Sequence, residues 1–161
     1  CTPQILMCAW RVRDMSETRG VEMSPTEVDA FLAGGGTGVL SLARDDEPYA
    51  TPVSYGYERS PRAFFLRLGV GAATGKREFL ESAGGARLVT YGPVEGGWTS
   101  VVAAGNLAPV DDEDLTVEVA DALRKAELPL LAIWGDALED VRFQIYRLEV
   151  EELTGRTTVE R

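Results

Sequence analysis

The sequence predicts a mainly β protein, a six-stranded antiparallel barrel of Greek-key type with short flanking helices. Six apolar or alternating segments of strand length recur between residues 37 and 150, and turns rich in Gly, Pro and Asp separate them. Helical periodicity is limited to short stretches, so the sequence lacks the strand-helix alternation that builds a parallel sheet. The chain has 161 residues and 45% hydrophobic content, which suits one domain around one core.

The strands are predicted from apolar runs that end in turn residues. The first run stops at the turn Asp45-Asp46-Glu47-Pro48, and the next segment returns as the second arm of a hairpin. Pro52 lies inside that second arm and has no N–H for a neighbouring strand, which is typical of an edge or a bulge. The six predicted strands are Thr37–Arg44, Tyr49–Tyr57, Ala63–Leu68, Ala86–Tyr91, Trp98–Val110 and Val141–Val150.

Three short helices are indicated by capping residues and apolar faces. The run Ser24-Pro25-Thr26-Glu27 is a capping box with proline in the first turn. Thr74 is suited to cap a helix from Gly75 to Ser82. Asp111 or Asp112 is expected to cap a third helix, whose buried face is predicted to hold Leu115, Val119, Ala122, Leu123 and Ala126.

Residues 1–22 are predicted to be a disordered N-terminal extension, and residues 23–161 to be the folded domain. The opening segment carries a short apolar patch without a cleavage pattern, and it suggests read-through from upstream of a start at Met15 or Met23. Cys1 and Cys8 both lie in it, so neither a disulfide framework nor a metal site is expected.

The charge balance limits the possible partners. The net charge is −10, from 26 acidic and 16 basic residues, and such a surface repels nucleic acid and anionic membranes. No run of 18 apolar residues occurs, so a soluble, cytoplasmic protein is expected. The acidic cluster at residues 111–114 and the presence of only two lysines, Lys76 and Lys125, predict a salt-adapted, halophilic protein. The alternatives are a moderately acidic protein without salt adaptation, and an arginine excess that reflects only a GC-rich genome.

The residue types available for catalysis are few, because the chain contains no histidine. This removes Ser-His and Cys-His nucleophiles, histidine metal sites and imidazole acid–base catalysis. The carboxylates fall mainly on turns and predicted solvent faces, which argues against paired acid–base carboxylates. A protein with so few catalytic side chains is expected to take its chemistry from a cofactor.

The turn Thr74-Gly75-Lys76-Arg77 is the candidate for holding a phosphate group of that cofactor. Free N–H groups at a helix start, with two cations beside them, attract an anion. Arg67 ends the preceding strand, and Gly69 and Gly71 allow a ligand to approach the backbone. Taken alone, the turn has the features of an ordinary capped helix with exposed cations.

A flat ring is expected to meet the strand that contains Pro52. The backbone groups of Val53, Ser54 and Tyr55 are left free to face the edge of a heterocycle if the proline marks an unpaired stretch. The alternative is a proline that is simply tolerated at a sheet edge.

Polar residues at the start of the fifth strand form a further candidate contact. Thr99 and Ser100 are able to donate hydrogen bonds to a ring or a phosphate. Trp98 beside them and Trp134 are expected to be buried in the core or in an interface.

The order of these elements resembles that of the pyridoxamine 5'-phosphate oxidase-like flavoproteins, the FMN-binding split-barrel family. The similarity covers roughly residues 24–156. Its most specific part is the pattern PY-x-x-PVS-x-x-Y, followed by a Gly-Lys turn and W-x-SV-x-x-x-G. The other matching segments are TGVLSLA, AFFLRL, GKREFLE and YRLEVEELTGR.

The resemblance implies an FMN-binding homodimer with the flavin at the subunit interface. The residues implied to face the isoalloxazine are Thr51, Pro52, Val53 and Ser54. Those implied to hold the phosphate are Arg67, Thr74, Gly75, Lys76 and Arg77. Thr99 and Ser100 are implied to contact the flavin, with the other subunit as one source of that contact.

The chain departs from the oxidase itself at three places. The oxidase has arginine at the position of Thr51 and a Ser-Arg-Lys run at the position of Thr74-Gly75-Lys76. Near its C-terminus it has basic residues and histidine, where this chain has Arg142, Arg147 and Arg156 without histidine. These differences argue against vitamin B6 phosphates as the substrate.

The sequence therefore predicts an FMN-dependent oxidoreductase that acts on a small molecule. Two alternatives stay open. One is a reductase of the same fold that uses a deazaflavin, and the other is a non-enzymatic dimer that binds or stores flavin, or a degenerate barrel that only dimerises.

Overall fold

The computed structural model describes residues 20–70, 75–82, 84–125 and 142–159. The strands are β1 (Val21–Glu22), β2 (Gly36–Arg44), β3 (Glu47–Arg59), β4 (Arg62–Val70), β5 (Gly85–Val94), β6 (Gly97–Pro109) and β7 (Arg142–Thr157). The helices are α1 (Pro25–Leu32), α2 (Lys76–Ser82) and α3 (Val117–Lys125), with a 3-10 helix at Asp112–Asp114.

Strands β2 to β7 close into an antiparallel ring in the order β2-β3-β4-β7-β6-β5. The ring closes because β7 pairs with β4 on one side and with β6 on the other. The predicted six-stranded antiparallel barrel is confirmed. The structure also pairs Val21 with Thr157 and Glu22 with Arg156, so β1 lies on the barrel although the sequence assigned these residues to the extension. Residues 1–19 lie outside the described residues.

Strand β7 is longer than predicted, because it continues past Val150 to Thr157. A β-bulge at Ala104/Gly105 of β6 shifts the register, and the second half of β7 then pairs with the first half of β6. A Cβ atom on Gly105 would clash with the carbonyl oxygen of Glu149, so the bulge requires glycine.

The ring opens between β3 and β4. These strands pair from Tyr55↔Leu66 to their hairpin turn, whereas β3 before Tyr55 continues against β2 and β4 after Leu66 continues against β7. We call the opening between residues 51–54 of β3 and 67–70 of β4 the split. Pro52 lies at this opening. It has no N–H to donate to a neighbouring strand, and such an unpaired edge is where proline is tolerated in a sheet.

The core fills the inside of the ring with alternate side chains of each strand. The largest fully buried side chains are Tyr55, Phe64, Leu32, Leu40, Leu66, Leu88, Leu148 and Val101. Outside the ring, α3 packs Val119 and Ala122 against Ala63 and Phe65. The helix approaches β3 closely, since a Cβ atom on Gly56 would clash with the Ala122 carbonyl.

Helix α1 begins at the predicted capping box. Ser24 Oγ accepts a hydrogen bond from the Glu27 N–H at 3.3 Å, and the Ser24 N–H donates to Glu27 Oε2 at 2.7 Å. The helix buries Val28 and Leu32 in the core.

Helix α3 begins later than predicted. The acidic residues at 112–114 form the 3-10 helix, Asp111 makes no capping bond, and Thr116 Oγ1 accepts the N–H of Val119 at 3.4 Å. Leu115 therefore precedes the helix and is 41% exposed, which contradicts its predicted burial. Of the other predicted face residues, Val119, Ala122 and Leu123 pack together, and Ala126 lies outside the described residues. Among the described helices, none combines the length and apolar composition that crossing a bilayer requires.

Candidate functional site

The split exposes one backbone edge of β3, and the four residues predicted to face a ring lie along it. Val53 points into the core and is 3% exposed, and Thr51 shares its side of the strand. Pro52 and Ser54 point to the outer face. The four side chains therefore lie on two different faces of the strand. What the four residues share is the backbone edge, whose N–H and C=O groups face the split.

Ser54 is the buried polar residue at this edge. Its side chain is 3% exposed, and its Oγ has no hydrogen-bond partner in the described part of the chain. A buried hydroxyl without a partner costs about 1–3 kcal/mol. Such a group needs a further partner, such as an ordered water or a ligand at the neighbouring open strand edge, to supply the missing bond.

Helix α2 is anchored firmly at the end of the barrel. Phe79 and Leu80 join the core, and the Phe79 ring stacks on Tyr49 with 4.9 Å between centroids. Arg44 Nη1 donates to Glu78 Oε2 at 2.8 Å. These contacts fix the start of the helix, where Lys76 lies.

Lys76 reaches from α2 to β4 beside the split. Its Nζ donates to the carbonyl oxygen of Gly69 at 3.2 Å, and its side chain is half-buried. Burial lowers the pKa of Lys76 from its ordinary value. Within the described ranges no carboxylate lies within ion-pair distance of it, whereas ion pairs are made by Arg44, Arg59, Arg62, Arg77 and Arg124.

Arg67 lies on β4, two residues before the Gly69 carbonyl that Lys76 contacts from α2. Its guanidinium carbon is 4.5 Å from the centroid of the Phe143 ring, and Phe143 pairs with Gly69 across β4 and β7. Arg67, Lys76 and Phe143 therefore surround Gly69. The structure brings together two of the predicted phosphate ligands.

The rest of the predicted phosphate turn contributes less. Arg77 Nε donates to Glu81 Oε1 at 2.8 Å, with 71% of its side chain exposed, so it pairs along the helix surface. Gly75 is exposed, and Thr74 lies outside the described residues. Helix α2 has only seven residues, so its dipole is small. An anion site here therefore depends on the Lys76 and Arg67 side chains.

Thr99 and Ser100 lie far from the split of their own chain. Thr99 is buried, and its Oγ1 donates to Thr157 Oγ1 at 3.1 Å. Ser100 pairs with Arg156, near the opposite end of β7 from Phe143. One chain cannot bring these residues and Lys76 to the same ligand.

Trp98 is 55% exposed in the single chain, so the expectation that it is buried in the core is wrong. An interface position remains open to it. Trp134 lies outside the described residues.

A cavity of about 380 Å³ opens where β2 and β5 diverge. Arg87, Ser41 and Glu151 line it, and Glu151 already accepts a bond from Asn106 at 2.6 Å. None of the predicted site residues that the structure describes lines this cavity. The described ranges also contain no cluster of three His, Cys, Asp or Glu side chains placed to hold a metal. The split, with its unpaired lysine and unsatisfied serine, is the stronger candidate site.

Phe143 was not predicted as a site residue. The alternating pattern of the last strand indicated a packing role, yet this ring is 41% exposed. It lies beside Arg67 because β7 pairs with β4. A pairing between strands so far apart in the chain cannot be predicted from neighbouring residues.

A closed antiparallel ring of six strands with a split hairpin is a split barrel. The family model of pyridoxamine 5'-phosphate oxidase matches residues 24–157, so the chain belongs to that family. No curated protein matched the chain.

Solved structures share the fold. A FAD-binding protein from Mesorhizobium loti is 22% identical, with a TM-score of 0.63 over 85% of this chain and 96% of that one. The FAD-binding protein from Mycobacterium smegmatis is 21% identical, with a TM-score of 0.59 over 88% and 100%. A conserved protein of unknown function from Corynebacterium diphtheriae is 21% identical, with a TM-score of 0.59 over 84% and 95%.

Proposed function

We propose that this protein binds FMN in the split and acts as a flavin-dependent oxidoreductase on a small substrate. The observation that carries the proposal is Lys76, a half-buried cation without a carboxylate partner among the described residues, at the open end of the barrel. The FAD-binding proteins of the same fold support a flavin as the ligand class.

The residues of the split fit a flavin mononucleotide. Lys76 and Arg67 would hold the phosphate through charge-assisted hydrogen bonds. The Ser54 hydroxyl and the open backbone edge of β3 would bond the polar edge of the ring system, which satisfies the buried Oγ.

When bound, FMN would supply the hydride and electron transfer that these side chains cannot perform. The chain contributes binding and orientation. Because it has no histidine, a proton needed by the substrate has to come from water, from another side chain or from the substrate itself.

We propose that a second copy of the chain completes the site. The cross-strand partners Pro52, Val39, Val89 and Val102 form one row on the outer face of β3, β2, β5 and β6. Pro52 is exposed and the three valines are half-buried in the single chain. The row begins beside Ser54 and ends on the strand that carries Ser100, so a partner related by a two-fold axis and packed on it would bring its own Ser100 toward the split.

The proposal is tested with the two lysines of the chain. Lys76→Ala should weaken FMN binding by about 1.5–3 kcal/mol, roughly ten- to a hundredfold, because it removes a charge-assisted bond to the phosphate. The matched control Lys125→Ala should change it little. Riboflavin lacks the phosphate and should bind both variants equally. Titration by flavin fluorescence quenching measures all of these affinities.

The FMN affinity measured in this titration should decrease as the pH rises. Since burial lowers the pKa of Lys76, its charge is lost as pH rises through a value below 10.5, and FMN affinity should fall there while riboflavin affinity does not. Equal effects of the two lysine substitutions would remove Lys76 as the phosphate ligand. A folded protein without saturable binding at micromolar FMN would contradict the cofactor assignment.

Two alternatives are separated by direct measurements. Release and identification of the cofactor from purified protein distinguishes FMN from a deazaflavin. Turnover with NAD(P)H or with a reduced deazaflavin distinguishes an enzyme from a flavin store.

A further inference from the structure

The amine of Lys76 has the surroundings of a nucleophile as well as those of an anion ligand. Its side chain is half-buried beside the split, and among the described residues its Nζ has one hydrogen-bond partner, the Gly69 carbonyl at 3.2 Å. Burial lowers the pKa of Lys76, because removal from water disfavours the charged form. A larger fraction of this amine is therefore neutral than in an exposed lysine at the same pH, and the neutral amine is the form that attacks carbonyl carbons.

The carboxylates on the helix of Lys76 do not serve as its counterion. A carboxylate beside an ammonium group stabilises the charged form and so suppresses the reactivity of the amine. The two carboxylates of α2 are instead paired with arginines at 2.8 Å, Glu78 with Arg44 and Glu81 with Arg77. The amine of Lys76 therefore lies in a setting that favours its nucleophilic form.

Arg67 supplies a second cation beside this amine. Arg67 and Gly69 are two residues apart on β4 and face the same side of the strand. Gly69 pairs with Phe143 across β4 and β7, and the Arg67 guanidinium carbon lies 4.5 Å from the centroid of the Phe143 ring. A guanidinium over a ring face still presents N–H groups along its edge, in the fork geometry that matches a phosphate. The corner therefore combines a phosphate-binding cation with an amine nucleophile.

We propose that Lys76 is an acylation site that reacts with small acyl phosphates, while Arg67 holds the phosphate group. The neutral amine attacks the acyl carbon, and the bond between that carbon and the phosphate oxygen breaks. The phosphate leaves with the electron pair of that bond and takes one proton from the attacking nitrogen. The products are an amide on Lys76 and hydrogen phosphate, so no further reactant is needed.

An acyl phosphate suits this corner better than other acylating agents. Its leaving group has the chemistry that the two cations bind, and holding that group at Arg67 brings the acyl carbon near the amine. An anhydride has no phosphate on its acyl carbon and gains nothing from Arg67. Acylation removes the charge of Lys76, so it should also weaken FMN binding. Only this last consequence rests on the proposed flavin site.

The experiment compares the two lysines of the chain within one sample. The purified full chain is incubated with acetyl phosphate or with acetic anhydride, and tandem mass spectrometry gives the ratio of acetylation at Lys76 to that at Lys125. Arg67→Gln should lower this ratio about tenfold with acetyl phosphate, because a charge-assisted phosphate contact is lost. The ratio with acetic anhydride should not change. The matched control Arg77→Gln removes an exposed cation that pairs with Glu81, and it should leave both ratios unchanged.

The outcomes separate this inference from the proposed function. Equal acetylation of Lys76 and Lys125 by acetyl phosphate would overturn the acylation site. So would a folded Arg67→Gln protein, checked by circular dichroism, that reacts like wild type with acetyl phosphate or that loses reactivity equally toward both reagents. Protection of Lys76, but not of Lys125, by bound FMN would support a shared phosphate corner. If folded protein binds no FMN yet keeps the Arg67-dependent reaction, the flavin proposal is wrong and the acylation site stands.

Discussion

The buried carboxylate of Asp29 and the half-buried ammonium of Lys76 differ in whether an opposite charge lies beside them. Asp29 is 6% exposed, and it accepts a bond from Tyr57 at 2.6 Å and two from Arg62 at 3.0 Å. These bonds tie α1 to the β3–β4 hairpin. Among the described residues, Lys76 donates one hydrogen bond, to the neutral carbonyl of Gly69. A buried ion with its counterion in place is part of the scaffold, whereas a cation held beside an opening without one is suited to bind an anion.

Asp29→Asn should destabilise the fold by about 2 kcal/mol at pH 7, because Arg62 loses its counterion while the side-chain volume is kept. The Arg62 hydrogen bonds hold the pKa of Asp29 below its ordinary value of 3.8. A carboxyl with a lowered folded pKa adds stability above the unfolded pKa and loses it as pH falls through the folded one. The difference in unfolding free energy between wild type and variant should therefore be complete at pH 7 and shrink progressively as the pH falls from about 3.8 toward the lower folded pKa.

Urea unfolding followed by circular dichroism between pH 7 and pH 3 measures this difference. Asp112→Asn, at an exposed carboxyl of the 3-10 helix, is the control and should behave like wild type at every pH. A stability gap for Asp29→Asn that stays constant to pH 3 would contradict the role given to the Asp29 charge.

At the scale of elements, the features that could be predicted from the sequence are those set by residues close together in the chain. The capping box of α1 and the β2–β3 hairpin follow from residues that are neighbours in the chain. The start of α3 is missed because Thr116 and the acidic residues before it are all good caps, and packing on β4 decides among them. The length of β7 is missed because it depends on a bulge in β6.

The residues of the candidate site also fall into two groups, those that local sequence predicts and those that only the folded chain brings together. The sequence predicts Lys76 and Arg67 as site residues, because a basic turn after a strand is a local signal. Phe143 is not found, since only the register of β7 against β4 brings it to Gly69. The separation of Ser100 from Lys76 is likewise a result of topology.

Gly56 controls how closely α3 sits on the barrel. Gly56→Ala should destabilise the protein by about 1–3 kcal/mol, because the new methyl group collides with the Ala122 carbonyl and the backbone has to shift. Gly92→Ala, a strand glycine with open space around its Cβ position, is the matched control and should be close to neutral. Urea midpoints give the stability, and hydrogen exchange in α3 shows whether the helix has loosened. Equal urea midpoints for the two variants would mean that α3 moves away from β3 without lowering the stability of the protein.

At the scale of the whole molecule, the outer valine row and the net charge act against each other. Pairing two copies across Pro52, Val39, Val89 and Val102 would bury apolar surface and adjoin the split of each chain. Each copy also carries a net charge of −10, which opposes association. Salt weakens the repulsion more than the apolar contact, since the Debye length falls from about 10 Å at 0.1 M to about 3 Å at 1 M.

The protein should therefore sediment as a dimer that becomes more stable from 0.1 to 1 M potassium chloride and in the presence of FMN. Val102→Arg places a charge in the row and should give a monomer with weakened FMN binding, because the partner's Ser100 is lost with the interface. Val117→Arg makes the same change at a position on α3 that is 73% exposed, and it should remain dimeric. A wild-type monomer that binds FMN at every salt concentration would refute the shared site. If Val102→Arg remains a dimer, the interface lies on another surface. If the stability of the dimer does not change with salt, the halophilic interpretation is wrong, and the flavin proposal is unaffected.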